Sequence, residues 1–248
     1  MKKDYSITQH FGDNLAELLS EKIQIVFSEF DSKRYINSIK EKCLTKTYTQ
    51  RIDLHATELR NYLPNEYEKA IDILLQILGD ENLNETGMFT NFYWVMPIGK
   101  FVEKYGLDQY EISIKAISEI TKRNTGEYAI RPYIRKYPKK TLTVMKKWSK
   151  SKNFHLRRLA SEGLRPKLPW ATKLDTFIQN PIPVFKILEI LKEDPIKFVQ
   201  KSVANHMTDY LKVNPGPTTK LLKEWNLSEN KNTKWIVKHA TRKIKVLD

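Results

Sequence analysis

Apolar residues recur at three- and four-residue steps along most of this chain. Leu15, Leu18, Leu19, Ile23, Val26, Phe27 and Phe30 form one stripe, and Ala70, Ile73, Leu74 and Ile77 form another. A 3.6-residue period gathers such positions on one side of a helix, so both segments predict amphipathic helices. Sustained period-two alternation is missing, as are Asn-Gly and Asp-Gly hairpin pairs, and no strand is predicted. Pro64, Gly79, Gly106, Pro138, Pro169, Pro181, Pro195 and Pro215 interrupt the pattern at helix-length intervals. The predicted class is all-α.

A repeat is superposed on the helical period in the second half. Leu156-Arg157-Arg158-Leu159-Ala160, Val199-Gln200-Lys201-Ser202-Val203-Ala204 and Ile236-Val237-Lys238-His239-Ala240 each set an apolar residue, a basic one and a small one in the same order. Their basic positions 158, 201 and 238 are 43 and 37 residues apart, close to the helix-pair period of HEAT repeats. In such repeats each pair buries its apolar face only by stacking on its neighbours. The reading is one HEAT-like solenoid domain over 1–248, with an irregular helical bundle as the competing arrangement.

Charge divides this domain in two. Residues 1–124 carry 16 Lys+Arg against 19 Asp+Glu, a balance of −3, whereas residues 125–248 carry 27 against 10, a balance of +17. A near-neutral part thus precedes a strongly basic one, which suits a polyanionic partner because cations that meet phosphates release counterions. A basic surface that is merely solvated would have the same composition. No run approaches the ~20 apolar residues of a membrane span, and MKKDYSITQHFGDN lacks the apolar core of a secretory signal. A cytoplasmic protein without a membrane partner is expected. Cys43 is the single cysteine, and the five histidines show no ligand-like spacing, so no metal site or cofactor is predicted. Phosphate-cradling glycine motifs, a G-x-S-x-G elbow and H-E-x-x-H are absent.

Acids are scarce in the basic half, so each one calls for a reason. Glu162 lies in RRLASEGLRPKLPW, residues 157–170, among Arg157, Arg158, Arg165 and Lys167. On a helix with Leu156, Leu159, Ala160 and Leu164 turned inward, Arg158 and Glu162 become i,i+4 neighbours on an outer face. Gly163 ends that helix. Glu162 is then either an internal counterion or a reactive carboxylate. In SVANHMTDY, residues 202–210, Asp209 shares a stripe with Lys201 and Asn205, opposite Val199, Val203, Met207 and Tyr210, and is expected to be exposed. Glu127 opens EYAIRPYI, residues 127–134, where Pro132 marks a helix start and a glutamate complements the helix dipole. Trp170 begins the next segment, as a core residue or as a platform for a cationic group.

Taken together, RRLASEGLRPKLPW, EYAIRPYI and SVANHMTDY resemble the AlkC branch of the HEAT-like alkylpurine DNA glycosylases. The resemblance is strongest over 127–210 and extends loosely from HFGDN at residue 10 to the end. It implies a C-shaped solenoid with a concave basic face on duplex DNA. The implied activity is hydrolysis of the N-glycosidic bond of cationic N3-alkylated bases, without metal or cofactor. Position by position it assigns Glu162, Glu127 and Asp209 to the active-site carboxylates and Trp170 to the lesion. Arg131, Arg157, Arg158, Arg165 and Lys201 would hold phosphates around it. The implied setting is base-excision repair in a bacterial-type cytoplasm, nucleoid-associated when the protein acts on DNA, with no obligate protein partner. Met207-Thr208 and Lys167 depart from the family pattern, and the chain closes at Asp248 without the immunoglobulin-like domain that some members append. The alternatives are a non-catalytic HEAT-like nucleic-acid-binding module and a protein-interaction scaffold.

Overall fold

The computed structural model of the protein describes residues 7–86 and 91–244. The first six residues of the stretch read for a secretory signal, and the chain end at Asp248, lie outside them. Thirteen α-helices and two short 3-10 helices account for its regular structure, and no strand occurs among the described residues. The class is all-α, as the periodicity predicted. No described helix is long and apolar enough to cross a membrane.

The packing gathers the chain into two compact units, residues 1–82 with 87–125 and residues 83–86 with 126–248. The second begins at Gly126, where the charge balance changes sign. The first unit holds α1 (Asp13–Val26), α2 (Ser32–Lys42), α3 (Tyr48–Tyr62), α4 (Tyr67–Gln76), α5 (Met96–Tyr105) and α6 (Tyr110–Thr121). The two apolar stripes form part of its core: Leu15, Leu19 and Ile23 of α1 are buried, as are Ala70, Ile73 and Leu74 of α4. At 25 cal/mol per Å² of apolar surface, each fully buried Leu or Ile contributes about 1.5–3 kcal/mol.

The second unit holds α7 (Arg131–Lys136), α8 (Pro138–Trp148), α9 (Phe154–Glu162), α10 (Ile182–Leu191), α11 (Lys197–Val213), α12 (Pro215–Asn226) and α13 (Lys231–Thr241). Helices α9, α11 and α13 pack in one row; α8 backs α9, α10 backs α9 and α11, and α12 backs α11 and α13. Arg158, Lys201 and Lys238 each lie on one of the three row helices, so the three segments of the faint sequence repeat fall on successive helices of the row. Pro138 and Pro215 open α8 and α12, where a missing N–H costs nothing. Asn153 and Asn230 cap α9 and α13, each accepting two backbone N–H bonds.

Gly163 decides how closely the row can approach the helices beside it. A Cβ there would lie 2.7 Å from Ile130 Cγ2 and 2.9 Å from Met145 Cε. Only a glycine lets the end of α9 press against the entry to α7 and the flank of α8.

Candidate active site

The three acidic residues singled out in sequence converge in the second unit. Glu162 ends α9, Asp209 lies in the last third of α11, and Glu127 sits in the turn that leads into α7. They are 5%, 8% and 3% exposed, respectively. The outer face expected for Glu162 and the exposed stripe expected for Asp209 are therefore corrected. A face that is outward on an isolated helix is covered once the next helix of the row packs on it, and α11 packs on α9 at this face.

Buried carboxylates require counterions, and two arginines supply them in an alternating string. Arg158 Nη1 lies 2.7 Å from Glu127 and its Nη2 lies 3.6 Å from Glu162. Arg165 reaches Glu162 Oε1 at 2.6 Å through Nη1 and Asp209 Oδ2 at 2.8 Å through Nε. Three carboxylates thus alternate with two guanidiniums, and the buried Arg131 is a third cation near enough to interact with Glu127. The second oxygen of Glu162 accepts the Ser202 hydroxyl at 2.5 Å. Burial opposes the charge of Glu162, but Arg158, Arg165 and Ser202 outweigh it and hold the carboxyl below the usual range. For Asp209 burial wins: its pKa is raised despite Arg165, with Glu162 adding to the rise. Two carboxylates joined to one arginine are thus driven in opposite directions.

The five cations assigned to phosphates divide into different roles. Arg131 is 2% exposed and donates to the carbonyls of Arg165 at 2.8 Å and Thr172 at 2.7 Å; burial, then Arg135 and Arg165, lower its pKa to about 10. Arg157 forms a bidentate pair with Asp194 at 2.6 and 3.2 Å and donates to the carbonyls of Ser151 and Lys152. Both guanidiniums are engaged by groups of the protein itself, where they tie loops to helix ends. Arg158 and Arg165 are committed to the carboxylates. Lys201 alone of the five is exposed.

Trp170 is 65% exposed and has a φ of 58°, a left-handed conformation that a bulky residue rarely holds. It is the third residue of a turn closed by Ala171 N–H donating to the Leu168 carbonyl, with Pro169 at the second position. Gly or Asn usually fills that third place. The turn is clamped on both sides. Tyr128, next to Glu127, donates its hydroxyl to the Pro169 carbonyl at 3.3 Å, and Arg131 and Arg135 both hold the Thr172 carbonyl. Leu168 and Leu174 anchor the loop in the core. The core alternative for Trp170 is overturned: the ring is held out at the surface by a loop fastened to the carboxylate-bearing segments.

Sequence reasoning missed Ser202 and the loop-fastening roles of Tyr128 and Arg135. Ser202 had a usable signal, since it precedes Asp209 by seven residues and a seven-residue step returns to the same helix face. The buried polar stripe of α11 is Ser202, His206 and Asp209, not Lys201, Asn205 and Asp209. His206 completes it, with Nδ1 3.4 Å from Ser161 Oγ and its ring stacked on Tyr210. Burial and then Arg165 lower its pKa to about 3, so it is neutral beneath the site.

A two-row helical-repeat unit with a buried string of acids and arginines defines the class of protein: a helical-repeat scaffold carrying a polar centre. The chain belongs to the DNA alkylation repair enzyme family, whose profile matches residues 33–244. It is 33% identical over 233 residues to the uncharacterized protein YhaZ of Bacillus subtilis, covering 94% of this chain and 62% of that one. Its fold is similar to that of the alkylpurine DNA glycosylase AlkC of Pseudomonas fluorescens, solved bound to DNA containing an abasic site analog. The TM-score is 0.85 at 31% identity, covering 96% of this chain and 64% of that one. AlkD2 of Streptococcus mutans is also similar, with a TM-score of 0.61 at 25% identity, covering 86% of this chain and 99% of that one. The chain thus spans under two thirds of the length of the Bacillus and Pseudomonas relatives.

Proposed function

We propose that this protein is a DNA glycosylase that hydrolyses the N-glycosidic bond of cationic N3-alkylated bases, such as 3-methyladenine and 3-methylcytosine, in duplex DNA. One observation carries the reading: three carboxylates remote in sequence share a buried string with two arginines, inside a unit whose composition is strongly basic. A base alkylated at N3 is already positive and leaves without a general acid. What needs help is the cationic sugar left behind and the water that attacks it, and ionised carboxylates serve both. Glu162, held ionised by two arginines and a serine, is suited to stabilising positive charge. Asp209, with its raised pKa, is suited to accepting a proton from water. Trp170, held out on its clamped turn, offers a face to a cationic base. Membership in the DNA alkylation repair family and the likeness to a DNA-bound alkylpurine glycosylase support the same reading.

The test is release of free 3-methyladenine and 3-methylcytosine from methylated duplex DNA, separated chromatographically. The wild-type protein is expected to release them. Glu162→Gln should keep DNA binding while excision falls by at least ~100-fold, the scale of a lost electrostatic or base contribution. A folded protein that binds DNA and releases no base is the outcome of the non-catalytic binding module. Near-normal turnover in Glu162→Gln would return Glu162 to the role of a counterion.

A further inference from the structure

Nineteen residues, 163–181, separate the end of α9 from the start of α10. A connection that long without secondary structure is uncommon in a packed domain and usually serves function. Its middle is closed on itself: Leu174 N–H donates to the Pro166 carbonyl at 2.9 Å, and Trp170 falls midway between the two. Pro166 and Pro169 fix φ in the first arm, and Leu168 and Leu174 seat both arms in the core. The loop is a closed finger with an exposed indole at its tip, in the left-handed conformation.

Strain of this kind persists only where the surroundings over-determine it, and α7 supplies the constraint. Arg131 divides its fork between two segments. Its Nη1 donates to the Arg165 carbonyl at 2.8 Å and its Nη2 to the Thr172 carbonyl at 2.7 Å. Residue 165 is the one whose side chain bridges Glu162 and Asp209, and Thr172 lies two residues past the indole. A single buried guanidinium therefore ties the carboxylate string to the finger. Arg135, one turn further along α7, gathers three acceptors on one nitrogen. Its Nη2 lies 3.2 Å from the Thr172 carbonyl, 2.6 Å from Thr172 Oγ1 and 3.2 Å from the Lys173 carbonyl.

We propose that Arg131 and Arg135 are positioning residues for base release, acting through Thr172 to hold the Trp170 ring in register with the Glu162 and Asp209 carboxylates. This inference rests on the proposed glycosylase reaction and adds to it the groups that align its aromatic platform. A cationic base gains from the indole face only if that face is already in place, because ordering a loose loop on binding offsets the gain. A misplacement of about 1 Å, caused far from the chemistry, can cost about 100-fold in rate. The two arginines meet the requirement with different geometry, so lysine replaces them unequally. Arg131 needs a fork, since its two carbonyls lie on separate segments and an ammonium serves one of them. Arg135 needs donors converging from one point, and an ammonium carries three.

The experiment is a double-mutant cycle on the full chain, with kcat/KM for release of 3-methyladenine from methylated duplex DNA as the readout. Its members are wild type, Arg135→Ala, Trp170→Asn and the double variant; asparagine tolerates the left-handed turn and removes the ring. Arg135→Ala is expected to lower kcat/KM by about 10-fold when the ring is present, and by under about twofold when it is absent. Arg135→Lys should restore most of that loss, whereas Arg131→Lys should lose at least as much as Arg135→Ala. A second measurement needs no DNA. In protein labelled with fluorotryptophan, the fluorine resonance that vanishes in Trp170→Asn belongs to Trp170. It should move toward the position of the free amino acid in Arg135→Ala, while the resonances of the other four tryptophans stay in place. Equal losses from Arg135→Ala with and without the ring overturn the inference, as do a Trp170 resonance unmoved by Arg135→Ala and near-normal kcat/KM in Arg131→Lys. In each of those cases base release by the wild-type protein leaves the glycosylase reading standing. Absence of base release by the wild-type protein overturns both.

Discussion

Arg165→Ala removes the guanidinium that joins Glu162 to Asp209 at 2.6 and 2.8 Å. Both carboxylates are more than nine-tenths buried, so water replaces it poorly. Two routes lead to the magnitude. Two charge-assisted hydrogen bonds are worth about 1.5–3 kcal/mol each, and stranding one side of a buried ion pair costs about 3–5 kcal/mol. These describe the same loss and do not add. Arg158 stays 3.6 Å from Glu162 as a partial counterion, which points to the lower end, about 3–4 kcal/mol. With about 2–4 °C per kcal/mol for a domain of this size, the melting temperature should fall by about 6–16 °C. The sign of the pH dependence follows. Without Arg165 both carboxyls lose a group that lowers them, so each titrates higher in the folded state than it does in the wild-type protein. A carboxyl with a raised folded pKa destabilises once pH climbs past its unfolded value, so the deficit is full at neutral pH and shrinks on acidification. Thermal melts followed by tryptophan emission are the assay, since Trp148, Trp170, Trp225 and Trp235 lie in the second unit. Arg165→Lys keeps the charge without the fork that reaches two acids and should recover about half of the loss. A variant within about 1 kcal/mol of wild type at neutral pH, or a deficit equal at about pH 5 and pH 8, would refute the reasoning.

Trp170→Gly should be as stable as wild type or more so by about 1 kcal/mol, because glycine accepts the left-handed turn without strain. Base release should drop sharply in the same protein, and melting together with an excision assay checks both. Ser202→Ala removes the hydroxyl bonded to Glu162 Oε2 and should cost about 1–3 kcal/mol by denaturant titration. It should also shift the acid limb of the excision profile upward, as Glu162 loses one of the groups that lower it. Gly163→Ala pushes a methyl group to within 2.7 Å of Ile130 and should destabilise by about 1–3 kcal/mol in thermal melts, with Gly163→Val worse.

The helical class, the punctuation of the helices and the basic character of the second unit were legible from the chain alone. Each rests on something local: a 3.6-residue period, a proline that lacks an N–H, a count of ionised groups. The repeat was legible for the same reason, since the segments around Arg158, Lys201 and Lys238 share one local order of apolar, basic and small residues and fall on α9, α11 and α13. What those positions face was not. Glu162 and Asp209 looked outward because a period distinguishes apolar from polar positions, and on a single helix polar means exposed. Packing α11 on α9 turned that polar face into an interior lined with Arg158, Arg165 and Ser202. The arginines show the limit most clearly. In sequence Arg131, Arg157, Arg158, Arg165 and the exposed Lys201 are equivalent cations, and only the fold hands Arg131 to backbone carbonyls and Arg157 to Asp194. It also gives Arg158 and Arg165 to the acids. Charge is a property of the residue, but a counterion is chosen by distance. Distances between residues 127, 162 and 209 exist only after α7, α9 and α11 have packed.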